Sequence, residues 1–319
     1  MYKRQLWRGG PNTAKGADYY WNVNKQSAHI LDEIRKAFTE GDQAKAERLT
    51  RQNFNSEVPY EGSREKPFRF GSFTTMGEFY VETGLNIIGM SDYKRILSLD
   101  SAMAVVQFKK DDVAYQRNYF ISYPANVLVM RFSADRPGKQ NLIFSYAPNP
   151  VSTGSMVAQG DNGLVYSAAL DNNGMKYVVR IQAETKGGTL VNRNGKLTVK
   201  GADEVVFYVT ADTDYKANFA PDFKNPKTYV GVNPVETTGQ WLANAVAKGY
   251  SALLNEHYQD YAALFNRVKL NLNPTVKTGN LPTGQRLKNY RKGQPDYYLE
   301  ELYFQFGRYL LIASSRPGN

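Results

Sequence analysis

The segment from residue 6 to residue 12 combines the side chains best suited to hold a ligand. It reads Leu-Trp-Arg-Gly-Gly-Pro-Asn. An indole ring offers a flat apolar face, a guanidinium offers a fork of hydrogen-bond donors, and Gly-Gly-Pro favours a tight turn. We therefore predict that Trp7, Arg8 and Asn12 lie at the tip of a loop that stacks on a sugar ring. The alternative, that Trp7 is a buried anchor of the loop, stays open.

The two histidines, His29 and His257, do not form a recognisable catalytic site. We predict that His29 is a partly buried structural residue. Glu256 and Asp260, four residues apart, could bring two carboxylates near the His257 imidazole, although an exposed helix face has the same spacing. The sequence lacks cysteine and the motifs of phosphate binding, serine hydrolases and zinc proteases. We expect no catalytic residue, metal site or cofactor in this chain.

The formal net charge of +10 and the pI near 9.4 raise the question of nucleic-acid binding. However, Lys and Arg are interleaved with Asp and Glu, and no basic run reaches five residues. A solvated basic surface explains this pattern, so we expect no nucleic-acid partner. No stretch approaches the roughly 18 consecutive apolar residues of a membrane-spanning helix, so we expect no membrane partner either.

The elements that must position these residues begin with two helices and continue as strands. Ser27 is predicted to cap a helix that carries Phe38 on its apolar face and ends at Gly41, and a second helix begins at Asp42. Together they form an αα-hairpin. Short alternating segments follow, at 73–83, 93–99, 102–108, 113–122, 126–133, 141–146, 164–170, 175–184, 189–191, 196–199 and 204–211. Hairpin spacing without intervening helices favours a large antiparallel β-sandwich.

Helices take over after the proline-punctuated stretch near residue 226. We predict helices at 238–248 and 251–268, and a short one at 283–291. The apolar stripe of the second helix consists of Leu254, Tyr258, Tyr261 and Phe265.

The last predicted helix is apolar on nearly every side. Asp296 is its predicted N-cap, and residues 314–318 are its predicted stop. A helix of this kind must be surrounded by other elements, so the chain reads as the front of a larger protein. We place Arg316, a forked donor at the helix exit, near the substrate together with Trp7, Arg8 and Asn12.

Several stretches, in this order, resemble the N-terminal part of the family 95 glycoside hydrolases, the α-L-fucosidases. They are LWRGGPN (6–12), EIRKAF (33–38), GDQAKAE (41–47), YKRILSLDSA (93–102), NYFISYP (118–124), HYQDYAALFNRV (257–268) and YFQFGRYLLIASSRPG (303–318). Each stretch is a weak signal, but their order along the whole chain is specific.

The resemblance implies a mainly β fold: a super-β-sandwich, a helical linker and the first helix of a truncated (α/α)6 barrel. We divide the chain into an N-terminally incomplete sandwich domain at 1–220 with the αα-hairpin inserted at about 27–55, a linker at 221–284 and the barrel start at 285–319. In this family the general acid and the residues that activate water lie in the barrel. The expected intramolecular partner is therefore the missing barrel, and no catalytic residue falls in this chain.

The implied function is inverting exo-cleavage of α-L-fucosyl glycans without a cofactor, and the fragment alone would be inactive. An α-L-galactosidase of the same family and a non-catalytic carbohydrate-binding module are alternatives. For a galactoside, the extra C6 hydroxyl would be recognised by pocket residues outside this chain. We expect a periplasmic or secreted bacterial protein, with a cytoplasmic location left open.

Overall fold

The computed structural model describes residues 5–8, 25–54, 72–171, 174–220, 225, 227–272 and 281–316. The helices are α1 (Leu31–Thr39), α2 (Gln43–Asn53), α3 (Pro234–Phe265), α4 (Thr283–Arg291) and α5 (Tyr297–Ser314). The strands are β1 (Gln5–Arg8), β2 (Ser72–Thr75), β3 (Gly77–Glu82), β4 (Met90–Ser98), β5 (Met103–Lys110), β6 (Val113–Ser122), β7 (Val127–Ala134), β8 (Gln140–Pro148), β9 (Ser152–Gln159), β10 (Gly163–Leu170), β11 (Lys176–Lys186), β12 (Thr189–Arg193), β13 (Lys196–Ala202) and β14 (Glu204–Thr213).

Two antiparallel sheets form the body of the protein. The large sheet has the strand order β4-β5-β6-β7-β14-β11-β10-β9, and the small one has the order β12-β13-β8-β3. β1 and β2 form a separate two-stranded ribbon. The predicted fold class, a mainly β sandwich followed by helices, is confirmed, whereas the boundaries at 220 and 284 stay predictions.

The main core lies between the two sheets because both present alternating apolar side chains inward. Phe144 of β8 and Phe207 of β14 are fully buried and stack with ring centroids 4.5 Å apart. A second core forms on the outer face of the large sheet. There Phe120, Val129 and Tyr208 meet the side chains of α3, which covers this part of the sheet.

The helical hairpin forms as predicted, with two local differences. Gly41 ends α1 with a φ of +80°, and Asp42 caps α2 by accepting the Lys45 N–H at 2.9 Å. Ser27 lies inside a short 3-10 helix and does not cap α1, so that prediction is wrong. Phe38 is 57% exposed, not buried, because the contact between the two helices is formed by smaller side chains of α1 and α2.

The strand predictions failed at three places. The stretch 73–83 is two strands, β2 and β3, separated at Met76. β9 was missed because it is an edge strand with both faces largely exposed and therefore has no apolar alternation. Trp7 and Arg8 were predicted at a loop tip, but β1 is a strand hydrogen-bonded to β2.

α3 has a kink inside it. Asn233 caps its start by accepting the Val235 N–H at 3.2 Å, and Gly249 adopts φ 73° and ψ 169° within the helix. A side chain at this φ would be strained, so glycine permits the kink. The predicted break between 248 and 251 is therefore confirmed. The prediction that Tyr258 belongs to the apolar stripe is wrong, since its side chain is 48% exposed.

α4 spans the residues that the sequence predicted. α5 starts as predicted, because the Asp296 side chain accepts the Leu299 N–H at 2.9 Å, and it ends at Ser314. Leu299 is buried, while several larger apolar side chains of α5 are exposed, Tyr303 at 79% being the extreme. In the described part of the chain, no helix is long and apolar enough to cross a membrane.

Candidate functional site

One end of the sandwich gathers the segments that the sequence analysis singled out. The ladder registers bring the end of β6, the start of β7, the end of β14, the end of β10 and the start of β9 to this end. The turn that begins at Tyr123 and the connection that begins at Asn149 therefore lie at the same end of the molecule.

Asn149 ties the β1–β2 ribbon to this end. Its side chain is buried, and its Nδ2 donates to the Thr74 Oγ1 at 2.9 Å and to the Thr75 carbonyl. Its backbone N–H donates to the Met76 carbonyl at 3.2 Å, while its Oδ1 accepts the Val151 N–H at 3.0 Å. One buried amide therefore fixes the ribbon and the β8–β9 connection together.

The ribbon places the backbone of two predicted sugar-contacting residues at this end. Trp7 pairs with Phe73 and Arg8 pairs with Ser72 across the ribbon. The structure describes the backbone of these two residues only, and Asn12 lies outside the described residues. Contact between these side chains and a sugar stays a prediction.

Buried tyrosines support the ribbon from inside the sandwich. The Tyr146 hydroxyl donates to the Met76 carbonyl at 2.6 Å, and the Tyr177 hydroxyl lies 2.7 Å from the Ser152 Oγ. Burial raises the pKa of Tyr146 and raises the pKa of Tyr177 to about 12. These phenols are therefore neutral near pH 7 and serve as hydrogen-bonding struts.

Arg316 lies at the same end, after α5. Its guanidinium forms an ion pair with Asp260 of α3 and stacks over the Tyr123 ring, 4.6 Å from the ring centroid. Its side chain is only 9% exposed. Arg316 thus joins the exit of α5 to α3 and to the sandwich, and its predicted contact with substrate stays a prediction.

Arg308 makes a second junction, which the sequence analysis missed. It donates to the carbonyls of Phe265 at 2.7 Å and Val268 at 2.8 Å, where α3 ends. Its guanidinium also lies 4.8 Å from the Phe265 ring centroid. Helix ends leave carbonyls without intrahelical partners, and a cation there is favourable. The only signal in the sequence is one arginine in the otherwise largely apolar second half of α5.

His257 is a structural residue between α3 and the sandwich. It is buried, its Nε2 lies 2.8 Å from the Ser101 carbonyl, and its ring lies 5.0 Å from that of Phe120. Burial lowers the pKa of His257, which favours the neutral ring donating to the carbonyl. His29 is exposed, which contradicts its predicted partial burial.

The carboxylates flanking His257 are engaged elsewhere. Glu256 pairs with Lys248 at 2.8 Å, and Asp260 pairs with Arg316. Among the described residues, no three His, Cys, Asp or Glu side chains are grouped to hold a metal ion. The geometry here joins secondary-structure elements and does not assemble acid–base chemistry.

Two family models match consecutive parts of the chain. Residues 2–218, 217 of the 319 residues, match the glycosyl hydrolase family 65 N-terminal domain. Residues 249–319 match the glycosyl hydrolase family 95 catalytic domain. The second match begins at Gly249, the residue at which α3 is kinked.

Three curated relatives align with nearly all of the chain. Probable alpha-fucosidase A of Aspergillus niger is 31% identical over 98% of this chain and 38% of that protein. Alpha-L-fucosidase 2 of Arabidopsis thaliana is 26% identical over 98% of this chain and 37% of that protein. Probable alpha-fucosidase A of Aspergillus oryzae is 24% identical over 99% of this chain and 42% of that protein.

The chain spans about two fifths of the length of these relatives. All three come from fungi or a plant, so the predicted bacterial source has no support from them. The order of the two matched domains agrees with the order of sandwich and helices. Residues 2–218 therefore belong to the glycosyl hydrolase family 65 N-terminal domain, and the segment from residue 249 onward is similar to the family 95 catalytic domain.

Proposed function

We propose that this chain is the N-terminal portion of an inverting exo-α-L-fucosidase that acts on fucosylated oligosaccharides or polysaccharides. The observation that carries the proposal is the 31% identity with a probable alpha-fucosidase over 98% of the chain. The family 95 match, which covers α5 and the second half of α3, supports the same activity.

The chemistry of inversion requires two carboxyl groups with different protonation. A carboxylic acid protonates the leaving oxygen, while a carboxylate activates water that attacks the anomeric carbon from the opposite face. The two groups are about 6.5–9.5 Å apart, which leaves room for that water. The acid must retain its proton near neutral pH, which calls for burial or a neighbouring negative charge.

Four of the more enclosed carboxylates among the described residues have structural partners. Glu204, Asp260 and Asp296 are each held in an ion pair with an arginine. Burial raises the pKa of Asp214, but its Oδ1 accepts the Lys176 N–H at 3.0 Å and so caps a strand. We therefore place the acid and the base in further sequence of the family 95 domain, and this chain alone is inactive.

The contribution of this chain is then to position the catalytic domain. Arg308 attaches α5 to the end of α3, and Arg316 attaches the exit of α5 to Asp260 and Tyr123. Both contacts are directional, so they fix the position and direction of α5 up to Arg316. In this proposal the partners of the chain are the catalytic barrel and the fucosyl glycan bound to it.

The test compares this chain with a chimera in which the A. niger relative's sequence continues after Asn319. We expect the chimera to hydrolyse an aryl α-L-fucoside, to prefer it to the α-L-galactoside, and to release the β-anomer first, as seen by proton NMR. The isolated chain should match a heat-inactivated control. Turnover by the isolated chain, free of contaminating fucosidase, would refute the placement of the carboxyl groups.

A further inference from the structure

A second aromatic surface lies on the first half of α3. Trp241, Asn244 and Lys248 follow one another at helical spacing and face Pro124 and Ala125 of the turn after β6. An open groove of about 310 Å³ lies between the helix and the turn. This volume is at the lower end of the about 300–1,000 Å³ typical of small-molecule sites.

Both walls of the groove are fixed. Ala245 of the helix wall is fully buried against the large sheet. In the turn, Asn126 adopts φ 51° and its N–H donates to the Tyr123 carbonyl at 3.2 Å, while the Ala125 N–H donates to the Ser122 Oγ at 3.3 Å. Short side chains, those of Ala125, Ala245 and Ala247, line the groove.

The polar groups of the groove are held in place by neighbours. The Asn244 Oδ1 accepts the Gln240 Nε2–H at 2.8 Å, which leaves the Asn244 amide NH2 as a donor toward the groove. The Lys248 Nζ lies 2.8 and 2.9 Å from the two carboxylate oxygens of Glu256, across the kink at Gly249. Lys248 therefore lines the groove as a hydrogen-bond donor whose charge is balanced by Glu256.

The arrangement fits a sugar ring better than other small ligands. Trp241 and Lys248 are seven residues apart, about 10.5 Å along a helix. The indole ring and the ammonium group therefore lie at opposite ends of the groove. A pyranose has an apolar C–H face that stacks on an indole and hydroxyls that take both donors and acceptors. A phosphate would gain little here, because the Glu256 carboxylate already balances the charge of Lys248.

We propose that this groove binds a neutral pyranose unit of a glycan, with Trp241 as the stacking face and Lys248 and Asn244 as hydrogen-bonding groups. The inference goes beyond the proposed function, since binding here requires no bond cleavage. Sugar binding in the groove can therefore be absent while the fucosidase proposal holds. Equally, the groove can bind a sugar if the fucosidase proposal fails.

The experiment titrates this chain with 2′-fucosyllactose, maltotriose and inorganic phosphate by calorimetry and saturation-transfer NMR. We expect at least one oligosaccharide to bind with a dissociation constant in the millimolar range, and phosphate neither to bind nor to compete. Trp241→Ala should weaken binding by about tenfold, the usual consequence of removing an aromatic anchor.

A matched pair of variants separates the groove from the stability of the helix. Ala247 lines the groove, whereas Ala243, one turn earlier, is exposed and lies outside it. Ala247→Leu narrows the groove without removing a contact and should weaken binding several-fold, whereas Ala243→Leu should leave binding unchanged. The proposal is overturned if neither oligosaccharide binds. It is also overturned if binding survives both Ala247→Leu and a folded Trp241→Ala.

Discussion

The sandwich and the α4–α5 region are held by different forces. Between the sheets, Phe144 and Phe207 are fully buried and stack on each other. In the helices after residue 281, the most enclosed large side chain is Arg286, which donates to the Asp296 carboxylate at 2.5 and 2.8 Å. Its guanidinium also lies 4.6 Å from the Tyr298 ring centroid.

The difference teaches how a helix can be located precisely while its apolar side chains stay exposed. Apolar burial is non-directional and stabilises the sandwich from within. α5 instead is held by directional contacts of three arginines, Arg286, Arg308 and Arg316. These contacts fix the direction of the helix. Its apolar side chains Tyr303 and Leu311 remain exposed. An exposed apolar surface of this kind is typical of an interaction site.

The largest expected effect is on the sandwich core. Phe144→Ala should lower the free energy of unfolding by about 3–5 kcal/mol, because it removes a stacked ring and leaves a cavity. Urea denaturation followed by circular dichroism measures the change. Tyr303→Ala, at an exposed position, is the control and should change stability by less than about 0.5 kcal/mol. If both variants lowered the free energy of unfolding equally, the contrast between a buried sandwich core and an exposed α5 surface would be wrong.

Arg286→Met should destabilise α4 and α5 while the sandwich stays folded. Removing one partner of a buried ion pair costs about 3 kcal/mol or more, because Asp296 is left as an uncompensated charge. Native-state hydrogen exchange should show faster exchange in α5 and unchanged exchange in β14. The double variant Arg286→Met with Asp296→Asn should recover part of the protection. Faster exchange throughout the sandwich would mean that the two regions unfold together.

The contact between α3 and the sandwich should respond to pH through His257. Burial lowers the pKa of this histidine in the folded state, with the nearby Asp260 acting in the opposite direction. The unfolded chain therefore binds the proton more readily, and stability rises with pH. This contribution is fully present above the unfolded value of 6.5 and is lost as pH falls through the lower folded pKa.

Melting temperatures measured between about pH 7.5 and pH 5 should fall toward acid, and His257→Gln should flatten this slope. We expect a smaller effect than from either substitution above. His29→Gln is the matched control, because His29 is exposed. An unchanged slope in His257→Gln would assign the acid sensitivity to other groups.

The smallest effect on stability concerns the exposed face of α5. Tyr303→Lys combined with Leu311→Glu should change the free energy of unfolding by less than about 0.5 kcal/mol. The same variant should reduce self-association, because it breaks an exposed apolar surface. Sedimentation velocity over a concentration series measures this. If the unmodified chain is already the cleaner monomer, the surface does not drive association.

The sequence determined the element types and most of their limits. The Asp42 and Asp296 caps, the stop at Gly41 and the break near Gly249 were predictable because each is a local backbone requirement. The alternating pattern predicted the antiparallel sandwich, because successive side chains of a strand point to opposite faces of the sheet. β9 was not predictable, since an edge strand with two exposed faces carries no such pattern.

Only the tertiary structure decided which distant residues meet. Asn149 reaches Thr74, Arg316 reaches Asp260 and Tyr123, and the turn after β6 faces Trp241. The sequence names these side chains but not their partners, because the partners are brought together by strand order and by the path of α3. Ion pairs and grooves depend on distances between elements, and those distances are fixed only when the two sheets and the kinked helix pack together.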